Sequence, residues 1–141
     1  MKKAIILVLL FISISNAYYI RSFNSKIQII ESGYVKIEET IVTDFEEELH
    51  HGLFRTIPYK YSSKYGKRVL DIKVRSVTDE SGKKRMYKVT KSSGNIEIKI
   101  GRKNKKLSGI QTYVITYTME GVFNYFKSYD ELWLEITGHK W

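Results

Sequence analysis

Residues 109–121 are almost all β-branched or aromatic, and a glycine closes each end of the run. Such side chains fit the pleated, half-buried surface of a strand, and glycine is typical of the turns that bound one. Neither face carries a charge before Glu120, so the pattern predicts a central strand covered on both faces. If the chain ends at Trp141, we expect one edge of this strand to lack a partner, which favours dimerisation, aggregation or poor stability.

Alternation of apolar and polar residues predicts further strands on either side of this one. The predicted strands comprise residues 25–29, 34–42, 53–58, 69–77, 86–90, 95–100, 109–121 and 132–136. The side chains expected to face the core are Val35, Ile37, Leu70, Ile72, Val74, Val77, Ile96, Ile98 and Ile100. The connections 44–52, 59–68, 101–108 and 122–129 are predicted as loops. Short connections and the lack of a helical period after residue 17 indicate an all-β fold, an antiparallel β-sandwich of about seven to nine strands.

The first 17 residues have the pattern of a cleaved secretory signal peptide. Lys2 and Lys3 precede an apolar run over residues 4–14, and Ser15-Asn16-Ala17 gives the small-x-small pattern of a cleavage site. The apolar run is short of the roughly 20 residues that a membrane span requires. We therefore expect an exported, extracytoplasmic protein, periplasmic or at the cell surface, with one domain over residues 18–141. The chain has no cysteine, so its stability must come from the core alone.

The candidate catalytic and metal-binding residues are few. His50 and His51 follow Glu46-Glu47-Glu48, which are residue types that suit zinc, but no standard ligand spacing is present. A solvated acidic loop is the favoured interpretation of this segment. Because there is no cysteine, no Gly-x-Ser-x-Gly motif and no Gly-rich phosphate loop, we predict a non-catalytic protein without catalytic, cofactor-binding or metal-binding residues.

Residues 52–58 suggest a fixed guanidinium. Arg55 lies between Phe54 and Ile57 in a run closed by Pro58, which indicates a defined partner such as a carboxylate or a backbone carbonyl. A buried contact that clamps two sheets together is favoured over a ligand site for Arg55 and Pro58.

The net charge is +9, and three basic stretches, at residues 60–68, 83–85 and 102–106, carry most of the excess. The signal peptide argues against nucleic acid as a partner, so anionic lipid or a wall polymer is the expected ligand if these stretches bind one. The favoured interpretation, however, is that these lysine-rich loops keep the protein soluble and protect sheet edges. The candidate contacts are Lys60, Lys64, Lys67, Arg68, Arg102, Lys103, Lys105 and Lys106.

Four segments, in this order, resemble a known family, the N-terminal extracytoplasmic domain of bacterial predicted membrane proteins called domain of unknown function 2207. The segments are residues 37–45, 52–58, 109–121 and 129–141. The resemblance implies an extracytoplasmic β domain with no established activity. From the signal peptide, the strand pattern and the lack of a catalytic constellation we expect a binding or sensory module. Family members continue into transmembrane helices, so the chain is expected to be a fragment or a truncated member. One departure is Trp133, which stands one position earlier than the usual aromatic pair.

Overall fold

The computed structural model describes residues 18–63 and 66–138, apart from the side chain of Ser63. The signal peptide predicted at residues 1–17, the candidate contact Lys64, and residues 139–141 lie outside these ranges. No helix in the described ranges is long and apolar enough to cross a membrane. The strands are β1 (Tyr19–Ile30), β2 (Tyr34–Asp44), β3 (Gly52–Pro58), β4 (Lys60–Ser63), β5 (Gly66–Val69), β6 (Asp71–Thr78), β7 (Tyr87–Ser92), β8 (Asn95–Gly101), β9 (Ile110–Glu120), β10 (Phe123–Tyr125) and β11 (Asp130–Leu132).

The larger sheet contains four antiparallel strands in the order β1-β2-β9-β6. The long uncharged run forms β9, which pairs with β2 on one edge and with β6 on the other. The prediction of a central strand is therefore confirmed. The expectation that one edge of β9 lacks a partner is wrong, because β6 pairs with the edge that β2 does not occupy.

The smaller sheet contains three antiparallel strands in the order β3-β8-β7. On β8 the side chains of Ile96, Ile98 and Ile100 are buried, as their alternation with charged residues predicts. β7 lies at the edge of this sheet, and all six of its residues are exposed.

The hydrophobic core lies between these two sheets. Since both sheets are antiparallel, the prediction of an antiparallel all-β fold is confirmed. The larger sheet contributes to the buried cluster Val35, Ile37 and Ile41 of β2, Ile72 and Val77 of β6, and Tyr113, Ile115, Tyr117 and Met119 of β9. On β6 a bulge between Val74 and Ser76 accommodates an extra residue, and this returns Val77 to the core side three positions after Val74. The other face of β9, which includes Thr112, Val114 and Thr116, is partly exposed, so the prediction that both faces are covered is wrong.

Two short hairpins replace segments that the sequence predicts as loops. β4 pairs with β5, and β10 pairs with β11. The strand predicted at residues 132–136 is displaced, since β11 ends at Leu132. Tertiary contacts hold the two hairpins against each other. The Tyr61 ring packs edge-on against Trp133 at 4.6 Å, and Arg68 donates a hydrogen bond to the Asn124 side chain.

Candidate functional site

A buried polar cluster joins the two sheets. Arg55 of β3 donates from Nε to Glu39 Oε2 and from Nη2 to Glu39 Oε1, both at 2.7 Å, and Glu39 lies on β2 of the other sheet. Tyr117 of β9 donates its hydroxyl to Glu39 Oε1 at 2.6 Å. Arg55 is 1% exposed and Glu39 0% exposed. The pair is therefore a two-pronged ion pair that is closed to solvent.

The same guanidinium also holds the C-terminal part of the described chain. Arg55 Nη2 donates to the carbonyl of Ile136 at 2.8 Å, and Nη1 donates to the carbonyls of Thr56 at 2.8 Å and Thr137 at 3.4 Å. Residues 133–136 do not form a strand, and the carbonyl of Ile136 is directed to Arg55. At Gly138 an added Cβ would lie 2.9 Å from Arg55 Nη1, so a residue without a side chain allows the chain to pass this close to the guanidinium.

Burial and ion pairing have opposite effects on the charge of Arg55. Burial lowers the pKa of the guanidinium, but the hydrogen bonds and charge of Glu39 outweigh that effect, and the pKa of Arg55 lies above its usual value. Burial, the charge of Glu39 and the hydrogen bond to it raise the pKa of Tyr117 well above its usual value. The cluster thus keeps Arg55 protonated and Tyr117 neutral, which suits a fixed structural contact better than proton transfer.

Two members of this cluster, Glu39 and Tyr117, are absent from the sequence predictions. The alternation of side chains along β2 and β9 could have identified both residues as inward-facing. Side chains two residues apart on a strand point to the same face. Glu39 therefore lies on the same face of β2 as Ile37 and Ile41, and Tyr117 lies on the same face of β9 as Ile115, so both side chains are expected to face the core. A carboxylate at an inward position needs a partner, and Arg55 is the buried cation on the facing sheet.

Pro58 ends β3 and lies opposite Asn95 of β8. Its carbonyl accepts a hydrogen bond of 3.0 Å from the Tyr61 hydroxyl. Pro58 therefore lies at the point where the chain leaves the smaller sheet and enters the β4–β5 hairpin.

Two inward tyrosines of β9 differ in how their hydroxyls are satisfied, and this gives a prediction. The buried hydroxyl of Tyr113 has no hydrogen-bond partner among the described residues, whereas that of Tyr117 donates to Glu39. We expect Tyr113→Phe to stabilise the protein by about 1 kcal/mol, because it removes an unsatisfied polar atom, and Tyr117→Phe to destabilise it by about 2 kcal/mol. Urea unfolding at pH 7 measures both values, and equal effects of the two substitutions would contradict this difference.

The burial of Tyr113 also predicts how the stability of the protein changes at alkaline pH. Burial raises the pKa of Tyr113 to about 12, while an unfolded tyrosine titrates near its usual value of 10.0. Above pH 10 the unfolded chain loses protons that the folded chain retains, so stability falls as the pH rises from 10 to 12. Unfolding curves across this range should show a smaller fall for Tyr113→Phe than for the unsubstituted protein.

The adjacent histidines have different neighbours. The His50 ring stacks on Phe45 with ring centroids 4.6 Å apart, and its Nε2 lies 3.4 Å from Glu48 Oε2. His51 Nδ1 lies 3.3 Å from the carbonyl oxygen of Arg102. Within residues 18–63 and 66–138 no group of three or more His, Cys, Asp or Glu side chains could hold a metal ion.

The net charge of the chain is concentrated in one part of the fold, residues 83–106, which we call the basic hairpin. This segment contains β7 and β8, and it has ten basic residues and one acidic residue, Glu97. Its net charge of +9 equals that of the whole chain. The strands bring its two basic ends together, since Gly101 N donates to the Met86 carbonyl at 2.8 Å.

Of the candidate contacts in the β4–β5 hairpin, Lys60, Lys67 and Arg68 are described, and this hairpin begins at the other end of the smaller sheet. Lys60 N donates to the carbonyl of Gly94, which precedes β8, whereas Arg102 follows β8. Seven residues of strand, about 20 Å, separate these points. Lys60, Lys67 and Arg68 therefore do not join Arg102, Lys103, Lys105 and Lys106 in one surface.

Arg68 in particular has internal contacts. Besides its hydrogen bond to Asn124, it donates to the Val122 carbonyl at 3.4 Å, and its guanidinium lies 5.9 Å from the centre of the Trp133 ring. These contacts connect β5 to the β10–β11 hairpin. Arg102, Lys103, Lys105 and Lys106, by contrast, are exposed.

The protein is therefore an all-β protein in which two antiparallel sheets pack over one core and are joined by a buried ion pair. The chain belongs to the family of predicted membrane proteins called DUF2207, whose N-terminal domain matches residues 19–141. No protein with a curated description and no solved structure matches the chain. The family resemblance seen in the sequence is thus confirmed.

Proposed function

We propose that this chain is a non-catalytic, extracytoplasmic binding module of a membrane protein, and that its basic hairpin binds an anionic polymer of the cell envelope. The observation that carries the proposal is the concentration of a net charge of +9 in residues 83–106, where every basic side chain except the half-buried Arg85 is exposed and β7 forms an edge of the smaller sheet. Membership of a predicted membrane protein family supports the location, and so does the signal-peptide pattern of residues 1–17.

The arrangement of the lysines favours a ligand over a role in solubility alone. Lys88 and Lys99 are directly opposite each other on β7 and β8. Like charges in such a cross-strand pair repel and destabilise the sheet, and a bound anion relieves the repulsion. Solubility needs only charges that are dispersed over the surface, and it does not require all of the excess charge to lie on one hairpin.

The hairpin also suits an extended ligand. Six residues of β7 span about 20 Å, with Lys88, Lys91 and Lys99 along the two strands and the basic residues of 83–85 and 102–106 together at one end. A linear polymer with a charge on each repeat can neutralise several of these cations at once, and the release of its counterions then makes binding dependent on salt.

Titration calorimetry with linear inorganic polyphosphate tests the proposal. We expect saturable binding that weakens steeply as salt is raised, because the contacts are electrostatic. A variant that combines Lys88→Gln, Lys99→Gln, Arg102→Gln and Lys105→Gln should bind about tenfold more weakly or worse.

The matched control removes four positive charges elsewhere, at Lys26, Lys36, Lys73 and Lys127, by changing each to glutamine. It should bind polyphosphate within about twofold to threefold of the unsubstituted protein, since these residues lie outside the basic hairpin. Equal losses in the two variants would contradict a defined site. Binding to anionic vesicles that polyphosphate does not displace would assign the hairpin to lipid instead.

A further inference from the structure

The end of the protein that carries the two short hairpins has a group of exposed aromatic rings. Tyr125 is 69% exposed, Tyr129 60%, Phe126 45% and Trp133 40%. We call this group, together with Phe123 and Tyr61, the aromatic end. Large exposed apolar groups that cluster in this way mark an interaction site more often than scattered ones do.

The aromatic end lies opposite the open end of the basic hairpin. The β9 strand leaves the larger sheet at Glu120, and β10 begins three residues later at Phe123. Glu120 pairs with Tyr34 at the start of β2, whereas the loop over residues 102–109 precedes the other end of β9. The aromatic end and the open end of the basic hairpin are therefore separated by the length of β9.

The aromatic end is held in place before any partner arrives. The Trp133 N–H donates to the Val122 carbonyl at 2.9 Å, and the Phe126 N–H donates to the Tyr129 carbonyl at 3.0 Å. Arg68 adds its hydrogen bonds to Asn124 and to Val122. A preformed surface loses little conformational entropy when it binds.

We propose that the aromatic end docks into the polar–apolar interface of a lipid bilayer. Tyrosine and tryptophan rings are amphipathic and collect at the level of the lipid head groups, where one end of the ring is apolar and the other is hydrated. Lys127, between Phe126 and Tyr129 in sequence, and Lys67 on the neighbouring hairpin supply cations that complement lipid phosphates. The chain belongs to a family of predicted membrane proteins, so a lipid bilayer is expected to lie close to this domain.

The packing of the rings favours lipid over a saccharide. A sugar stacks on a free aromatic face, and pairing with a neighbouring ring covers one face of several rings here. Phe126 stacks on Tyr129 at 4.7 Å, Phe123 stacks on Tyr125 at 6.1 Å, and the Trp133 ring contacts Tyr61 and the Arg68 guanidinium. The hydroxyl groups of these exposed tyrosines suit the hydrated head-group region. The carboxylates of Asp130 and Glu131 are exposed beside them, so the rings enter only to the depth of the head groups.

Flotation with vesicles of pure phosphatidylcholine tests this inference, because these vesicles have no net charge for the basic hairpin to bind. We expect the protein to float with the vesicles, and the bound fraction to change less than twofold between 0.1 M and 0.5 M salt, as apolar contacts predict. A triple variant with Tyr125→Ser, Phe126→Ser and Tyr129→Ser should lose at least tenfold in partitioning, while its unfolding transition remains.

The control variant changes two tyrosines and one phenylalanine of other exposed sites, with Tyr19→Ser, Phe54→Ser and Tyr87→Ser. It should partition within twofold of the unsubstituted protein. Absence of flotation, equal loss in both triple variants, or flotation that needs anionic lipid and disappears with salt would each overturn the inference. Saturable binding of a soluble wall saccharide that the first triple variant abolishes would also overturn it, in favour of a saccharide site.

Discussion

Replacing Arg55 with methionine should destabilise the protein by about 3–5 kcal/mol, because the change leaves the fully buried carboxylate of Glu39 without its cation. Methionine keeps much of the side-chain volume, so the loss reports the charge and the hydrogen bonds more than a cavity. The carbonyls of Ile136 and Thr137 lose their donor in the same variant. Urea unfolding measured by circular dichroism gives the free energy of unfolding directly.

A second variant separates an uncompensated charge from a general loss of packing. Adding Glu39→Leu to Arg55→Met removes the buried carboxylate as well, and hydrophobic replacement of a whole buried ion pair is often neutral or stabilising. We expect the double variant to recover at least half of the stability lost by Arg55→Met. A loss below 1 kcal/mol for Arg55→Met, or a double variant that is less stable than the single one, would contradict the proposed role of the cluster.

Replacing Gly52 with alanine should have the second-largest effect, about 3 kcal/mol or more, because the added Cβ has no room. Gly52 and Gly101 are directly opposite on β3 and β8, and both have a positive φ. A Cβ on Gly52 would lie 1.8 Å from the Ile100 carbonyl oxygen, and one on Gly101 would lie 1.9 Å from that of His51. The backbones must therefore separate at the end of the smaller sheet that leads into residues 102–106.

Gly82→Ala is the matched control for this backbone effect. Gly82 also has a positive φ, of 81°, but a Cβ there would meet no atom within 4 Å. Its expected cost is about 1 kcal/mol from the backbone conformation alone. If thermal unfolding gave the same loss for both variants, the close approach of Gly52 to Ile100 would not be the cause.

The sequence predicts most of the two large sheets because their strands alternate strongly and face one core. The strands β2, β6, β8 and β9 lie within one or two residues of their predicted bounds. Arg55 could be recognised as a residue that needs a partner, since Pro58 closes a short apolar run around it. The identity of that partner depends on which sheet faces β3, and alternation within a single strand does not contain this information.

The short hairpins and the separation of the basic stretches depend on tertiary contacts. β4 and β5 have four residues each, too few to form a stable hairpin alone, and contacts of Tyr61 and Arg68 with distant residues hold them. In the sequence, residues 60–68 and 102–106 look like equivalent basic stretches. Only the pairing of β7 with β8 joins residues 83–85 to residues 102–106 and leaves Lys60 and Lys67 apart.

Whether an anionic polymer binds at the basic hairpin can be determined by mapping the contact residue by residue. Amide chemical shifts of the 15N-labelled protein should be followed during titration with polyphosphate. We predict that the largest changes fall in residues 83–106, with residues 123–133 of the aromatic end unaffected. Changes centred on residues 60–69, or spread evenly over the lysines of the whole surface, would contradict the proposal.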